Sequence, residues 1–337
     1  MRWKHWMWIV VAAPIIGLAA GCSDDDDDAP IQPPVTVDQF DVVRQAFDTY
    51  LSSGAAPTIE SSTVWSELND SEDGPFVLSV RSADHFAIGH VPGAVNIPWR
   101  SVADPANLAT LPTGEKIVAY CYTGHTGQVA TTVLSAMGYD VVNMKHGMMA
   151  WSKDEDVRVI APFSDSPQDY PLETTANTLT ETYDLPDLDV TDSTDEAVIV
   201  REAMADLLAD FSPTMNASDL YANIADGNPD NDYFILSVRS AAHYALGHIP
   251  GAYNIPWRDI AKTENLQKLP TDQPILVYCY TGHTGQIATT VLAALGYDAV
   301  NLKFGMCSWT TDPEIRVAAA FSEDDYADYP VDTGSGK

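Results

Sequence analysis

Two cysteines stand in identical surroundings. Residues 120–128 read YCYTGHTGQ and residues 278–286 read the same, which places Cys121 and Cys279 second in each string. The reactive form of cysteine is the thiolate, a nucleophile. Gly124 and Gly127 let the segment after Cys121 curl, so that backbone N–H groups turn inward and make an anion cradle. Tyr122, Thr123, His125 and Thr126 add hydroxyl and imidazole donors at its rim. The second string repeats them as Tyr280, Thr281, Gly282, His283, Thr284 and Gly285. A cysteine can also simply end a buried strand, since it is among the most buried residue types. An idle copy should lose its nucleophile, yet both copies keep the whole loop.

The elements around each cysteine must hold that loop. The short apolar runs 76–80, 116–120 and 141–143 read as strands, and residues 83–88, 127–138 and 147–151 as helices. Strands alternating with helices imply an α/β fold, a small parallel sheet flanked by helices. Cys121 then lies beyond the carboxyl end of a strand, where such sheets bind ligands, and at the N-terminus of a helix. An offset of 158 joins the cysteines and also Arg81 to Arg239, Arg100 to Arg258, and Trp151 to Trp309, so one unit is written twice. The domains are expected at 37–174 and 196–331, with a loose Thr-, Asp- and Pro-rich linker at 175–195 and a tail at 332–337. Each copy closes alike, with Asp169-Tyr170-Pro171 and Asp328-Tyr329-Pro330, and each closing segment is expected to pack back on its own domain.

Three ordered pieces resemble the rhodanese (thiosulfate sulfurtransferase) superfamily. Residues 89–98 (GHVPGAVNIP) are similar to that family's GHIPGAxNIP segment, residues 121–127 to its cysteine loop, and residues 147–151 (GMMAW) to its late glycine-to-tryptophan motif. All three recur at 247–256, 279–285 and 305–309. The resemblance implies two tandem rhodanese-like domains, with Cys121 and Cys279 as nucleophiles and persulfide carriers, and no cofactor. One departure concerns charge. Many members carry Arg five residues after the cysteine, where this chain has Thr126 and Thr284. Arg100 and Arg258 are therefore expected to bind the substrate anion, with help from partly charged His125 and His283. Arg81 reads as a structural hydrogen-bonder, Lys145 as a solvated strand-end residue, and His90 and His248 as members of a turn. Without a loop Arg, the string cannot grip phosphate as a cysteine phosphatase does.

Weaker signals are few. Cys307 replaces Met149 of the first copy and would lie beside the second loop, where it could resolve a persulfide on Cys279; a packed helix cysteine is the plainer reading. Residues 226–232 (DGNPDND) read as a turn rather than a calcium loop, and no metal site is expected.

Composition bounds the partners. The 337 residues carry 48 acidic and 17 basic side chains, a net charge of −31, so nucleic acid is excluded as a partner. At 45% apolar the chain can build real cores. Arg2 and Lys4 precede an apolar run at 6–20 that is shorter than the roughly 20 residues of a membrane span. Residues 18–22 (LAAGC) resemble a bacterial lipobox, so residues 1–22 read as a lipoprotein signal with Cys22 as the lipidated residue. Residues 23–36, with five consecutive Asp and three Pro, read as a tether. The expected setting is a bacterial envelope, lipid-anchored to the outer membrane, with a small sulfur-containing anion and a thiol acceptor or redox partner as ligands. The expected function is sulfur transfer from thiosulfate or polysulfide. The alternative is a non-catalytic carrier of sulfane sulfur or of a chalcogen oxyanion such as selenite.

Overall fold

A computed structural model describes residues 37–70, 74–160 and 169–334. The expected signal segment, the tether and Cys22 lie outside the described residues. In chain order the first half contains α1 (Gln39–Ser52), β1 (Thr58–Ile59), α2 (Ser61–Asp70), β2 (Phe76–Ser79), α3 (Ala83–Ile88), β3 (Val95–Asn96), α4 (Pro105–Leu108), β4 (Ile117–Tyr120), α5 (His125–Ala136), β5 (Val141–Met144), α6 (Gly147–Trp151) and α7 (Glu155–Arg158). The second half repeats the plan as α8 (Glu196–Asp210), β6 (Thr214–Met215), α9 (Ala217–Ala225), β7 (Phe234–Ser237), α10 (Ala241–Leu246), β8 (Tyr253–Asn254), α11 (Thr263–Leu266), β9 (Ile275–Tyr278), α12 (His283–Ala294), β10 (Ala299–Leu302), α13 (Met306–Trp309) and α14 (Pro313–Arg316).

Each half builds one parallel five-stranded sheet, ordered β1-β5-β4-β2-β3 and β6-β10-β9-β7-β8. The α/β class expected from the sequence is what forms. The central strands β4 and β9 are buried at every position, which is why they read as unbroken apolar runs. The edge strands β1 and β3 have two residues each, too short to leave a periodic signal.

The halves share a core. One apolar cluster takes Val43 and Phe47 from α1, Val133 from α5, Ile199 and Met204 from α8, and Ile287 and Val291 from α12. Helices α5 and α12, which begin at the two cysteine loops, pack against each other.

The closing segments cross over, contrary to expectation. The Trp151 indole N–H donates to the Pro330 carbonyl at 2.9 Å, and Tyr329 lies against both Trp65 and Trp151. His90 and Asp332 exchange backbone hydrogen bonds at 2.9 and 3.0 Å. Reciprocally, the Trp309 indole donates to Pro171 at 2.9 Å, and Glu173 pairs with His248 through two backbone bonds. Each half is thus closed by the segment that follows the other. The intervening linker is not loose either. Leu179, Leu185, Leu188 and Val190 pack on the shared core, and the Tyr183 amide donates to Gln267 at 2.7 Å.

Arg100 and Arg258 join the halves as well. Arg100 donates to the carbonyls of Leu208, Ala209 and Phe211 at the end of α8, and Arg258 to those of Leu51 and Ala55 at the end of α1. Each guanidinium also covers its neighbouring tryptophan ring, at 4.2 Å for Trp99 and 4.1 Å for Trp257. A cation at a helix C-terminus meets the negative end of the dipole and satisfies orphan carbonyls. Their expected role as substrate contacts is corrected here, because their donors are spent across the domain junction.

Removing residues 326–337 should therefore harm the first half. The loss of Tyr329 and its hydrogen bonds costs about 3 kcal/mol. Hydrogen exchange should accelerate around Trp151 and His90 and stay unchanged around Trp309. Acceleration confined to the second half would contradict the crossing.

Candidate active site

Cys121 follows β4 directly and Gly124 precedes α5. Gly124 has φ +90°, a left-handed conformation that glycine adopts freely and that reverses the chain into the helix. Its N–H donates to Cys121 Sγ at 3.1 Å, and Gly282 does the same for Cys279 Sγ at 3.2 Å. The loop carbonyls are held from outside. Met148 N–H donates to Cys121 O and Met149 N–H to Tyr122 O, each at 2.9 Å, from the first turn of α6. That close approach explains Gly147, where a Cβ would sit 2.4 Å from Cys121 O. The expected motif pieces, the cysteine loop and the late glycine-to-tryptophan segment, thus meet. Both cysteines are only 1% exposed, so each sulfur lies at the floor of its loop rather than at an open mouth.

A buried asparagine pins the helix start. Asn143, in β5, donates to Gly124 O at 2.9 Å and to Gln128 Oε1 at 3.1 Å; Asn301 repeats both bonds in the second half. Gly127 must be glycine because a Cβ would fall 2.4 Å from Asn143 Oδ1. Sequence reasoning passed over this residue, although an Asn at the same offset in two apolar strands was a usable signal. Ser82 and His85 were missed in the same way. The Tyr122 hydroxyl receives the Ser82 N–H at 3.2 Å and lies 2.6 Å from His85 Nδ1, and Tyr280 has the same partners in Ser240 and His243. Arg81 is buried beneath, donating to the carbonyls of Val157 and Gly89 with its guanidinium facing the Tyr120 and Tyr122 rings. Its structural reading agrees with that placement, whereas Lys145, expected as a solvated strand-end residue, is half-buried and pairs with Glu60 at 2.8 Å.

The two loops touch. His125 Nε2 accepts the N–H of Phe304 at 3.2 Å, and His283 Nε2 accepts the N–H of His146 at 3.3 Å, each from the opposite half. The two rings stack with centroids 5.7 Å apart. A Cβ on Gly124 would lie 2.4 Å from His283 Nε2, and one on Gly282 equally close to His125 Nε2. Because Nε2 accepts, the proton of each neutral ring sits on Nδ1, which reaches Thr123 or Thr281 Oγ1 at 3.0 Å.

Burial holds these rings neutral. His125 titrates well below the usual histidine range through burial first, then the neighbouring His283 and Lys303. His283 is lowered likewise by burial, His146 and Lys145. His146 is brought down to about 3 by burial, with Lys145 and His125 adding to it. The expected partial charge on His125 and His283 is corrected accordingly. Thr126 and Thr284 stand half-buried on the first turn of their helices. Cys307 is buried in α13, its thiol 3.5 Å from Ala318 O. Among the described residues, no three His, Cys, Asp or Glu side chains are grouped to hold a metal ion.

Stability should follow these three histidines. Their folded values lie below the unfolded one of about 6.5, so the unfolded chain binds more protons as pH falls. The stabilisation is complete above about pH 6.5 and declines below it, by on the order of 4 kcal/mol per pH unit for three rings. Urea midpoints should fall between about pH 7 and pH 5.5, and less steeply in a His125→Gln, His283→Gln chain. Midpoints constant over that interval would contradict the neutral, buried assignment.

Comparison with known proteins adds a family. The rhodanese-like domain description matches residues 62–154 and again residues 216–312. The adenylyltransferase and sulfurtransferase UBA4 of Meyerozyma guilliermondii is 34% identical over 95 residues, 26% of this chain and 22% of that protein. The chain therefore spans about a fifth of that relative's length. The thiosulfate sulfurtransferase GlpE of Pseudomonas fluorescens is 29% identical over 90 residues, 26% of this chain and 81% of that protein. Among solved structures, the human single-domain sulfurtransferase TSTD1 is 27% identical, covering 30% of this chain and 98% of its own, with a TM-score of 0.26.

Proposed function

The chain belongs to the rhodanese family, matched over more than half its length by two tandem domains, and from that premise we propose that it is a sulfurtransferase carrying sulfane sulfur as persulfides on Cys121 and Cys279. The observation that carries this reading is the glycine amide aimed at each sulfur from a helix start, once in each half. The cysteine thiolate attacks a sulfane sulfur of the donor. A new S–S bond forms, the donor's own S–S bond breaks, and its electron pair departs with the remnant as thiolate or sulfite. An acceptor thiolate then attacks the terminal sulfur, leaves as the persulfide, and restores the cysteine thiolate, a ping-pong sequence. The helix N-terminus and the Gly124 amide stabilise the negative sulfur at each stage.

The cation supply favours one donor class. In the first half Arg81 is spent on carbonyls, Arg100 on α8, Lys145 on Glu60, and His125 is neutral; in the second, Arg239 and Arg258 are spent on carbonyls, His283 is neutral, and Lys303 lies against the Phe304 ring. A singly charged polysulfide or organic persulfide suits such a site better than the thiosulfate dianion. A second reading, a carrier of sulfane sulfur or of selenite that loads without turning over, is favoured by the 1% exposure of both cysteines. The lipobox-like residues 18–22 support a further part of the proposal, that Cys22 is acylated and holds the protein at the envelope, on the outer membrane.

Intact-mass analysis tests the core of this. Incubation with polysulfide should add one sulfur at each of Cys121 and Cys279, and Cys121→Ser or Cys279→Ser should remove one apiece. No gain at either site would end the proposal, and stoichiometric loading without turnover would select the carrier. With a net charge of −31 the chain repels anionic donors, so turnover should rise as salt screens that field over about 8 Å. A steep fall with salt would contradict it. Labelled palmitate should enter the wild-type chain and not the Cys22→Ser chain.

A further inference from the structure

The two halves follow one plan but differ at a groove beside the first helix of each. A groove of about 560 Å³ opens between α1, the end of α5 and the start of α8, lined among others by Ala46, Leu108, Met137, Tyr139 and Glu196. Its counterpart in the second half lies between α8, the end of α12 and the start of α1, and there the linker fills it. Pro186 sits against Gly296, where a Cβ would come within 3.1 Å, whereas a Cβ on the equivalent Gly138 meets none of the described residues within 4 Å. Gln39 grips the linker backbone, accepting the Val190 N–H at 2.9 Å and donating to Thr191 O at 2.6 Å. Glu196, the counterpart of Gln39 at the start of α8, lines the open groove and keeps the acceptor half of that grip.

Burial records the difference. Ala203, Leu266, Leu295 and Tyr297 are between 0% and 3% exposed in the filled groove. Their equivalents Ala46, Leu108, Met137 and Tyr139 are all half-buried. Leu185, Leu188 and Val190 supply the apolar cover, with Asp187 and Asp189 between them. The open groove is also the more accommodating one for such a segment. It carries Gln45 and Thr49 where the filled one carries Glu202 and Asp206, and of its two charged lining residues Arg201 is paired with Glu202 at 2.6 Å, which leaves Glu196 as the acidic one. On a chain of net charge −31, that is a largely apolar surface of low charge, continuous with the junction of the two halves.

We propose that this groove docks an extended Leu-Pro-x-Leu-like segment, apolar with interleaved acidic residues, presented by a partner protein. The linker is the internal example of such a ligand, and the groove is its duplicate, left unfilled by the described residues. Extended segments of this kind bind through alternating apolar side chains plus backbone hydrogen bonds.

A fluorescent peptide of residues 182–192 (TYDLPDLDVTD) and the full chain provide the test, read by anisotropy. Saturable one-to-one binding is expected. Ala46→Gln, and Thr49→Gln from an exposed position that leaves folding intact, should each weaken it by about tenfold. Asp206→Gln, at the matching position of the filled groove, should leave it unchanged. Absence of saturable binding, or weakening by Asp206→Gln alone, would overturn the proposal. Binding seen only after residues 1–36 are removed would also overturn it, since the chain would then cover its own groove.

Discussion

A pair of neutral imidazoles holds the molecule's centre. His125 and His283 each leave their own loop, accept a backbone N–H from the opposite half, and stack on one another. Accepting that N–H requires an unprotonated Nε2, and burial enforces it. The glycines at 124 and 282 follow from the same contact, because no other residue leaves room for the facing ring. The loop that holds each sulfur is therefore shaped in part by the other half of the chain.

The rest of the junction repeats that reciprocity. Arg100 and Arg258 close helix ends across it, the closing segments cross it, and α5 and α12 bury their apolar faces along it. Neither half owns all the groups that complete its core. Buried apolar area and backbone hydrogen bonds of this extent make relative motion of the halves costly. The two cysteine sites are thus parts of one rigid frame and not two modules on a flexible tether.

Much of this was legible in the residues. The apolar runs found β2, β4 and β5, the repeated string found the cysteine loop, and the glycine spacing found the strand-to-helix turn. What the residues could not tell was which copy a segment serves. Tyr170 and Tyr329 follow like-sequence cores, so packing at home and packing across satisfy the same pattern. Arg100 failed for a related reason, since a cation after a probable pocket edge looks alike whether it faces an anion or a distant helix end. The charge state of His125 was hidden because burial at a domain junction leaves no local mark. Asn143 was different: it was visible as a polar residue repeated in two apolar strands, and it was passed over.

The direct test of cross-half dependence is the alkylation rate of Cys121, followed on its own peptide, in a Cys279→Ser chain with and without His283→Ala. The change in the second half should accelerate labelling at Cys121 by about tenfold, because the loop around Gly124 loses its brace. An unchanged rate, in a chain that remains folded, would contradict it.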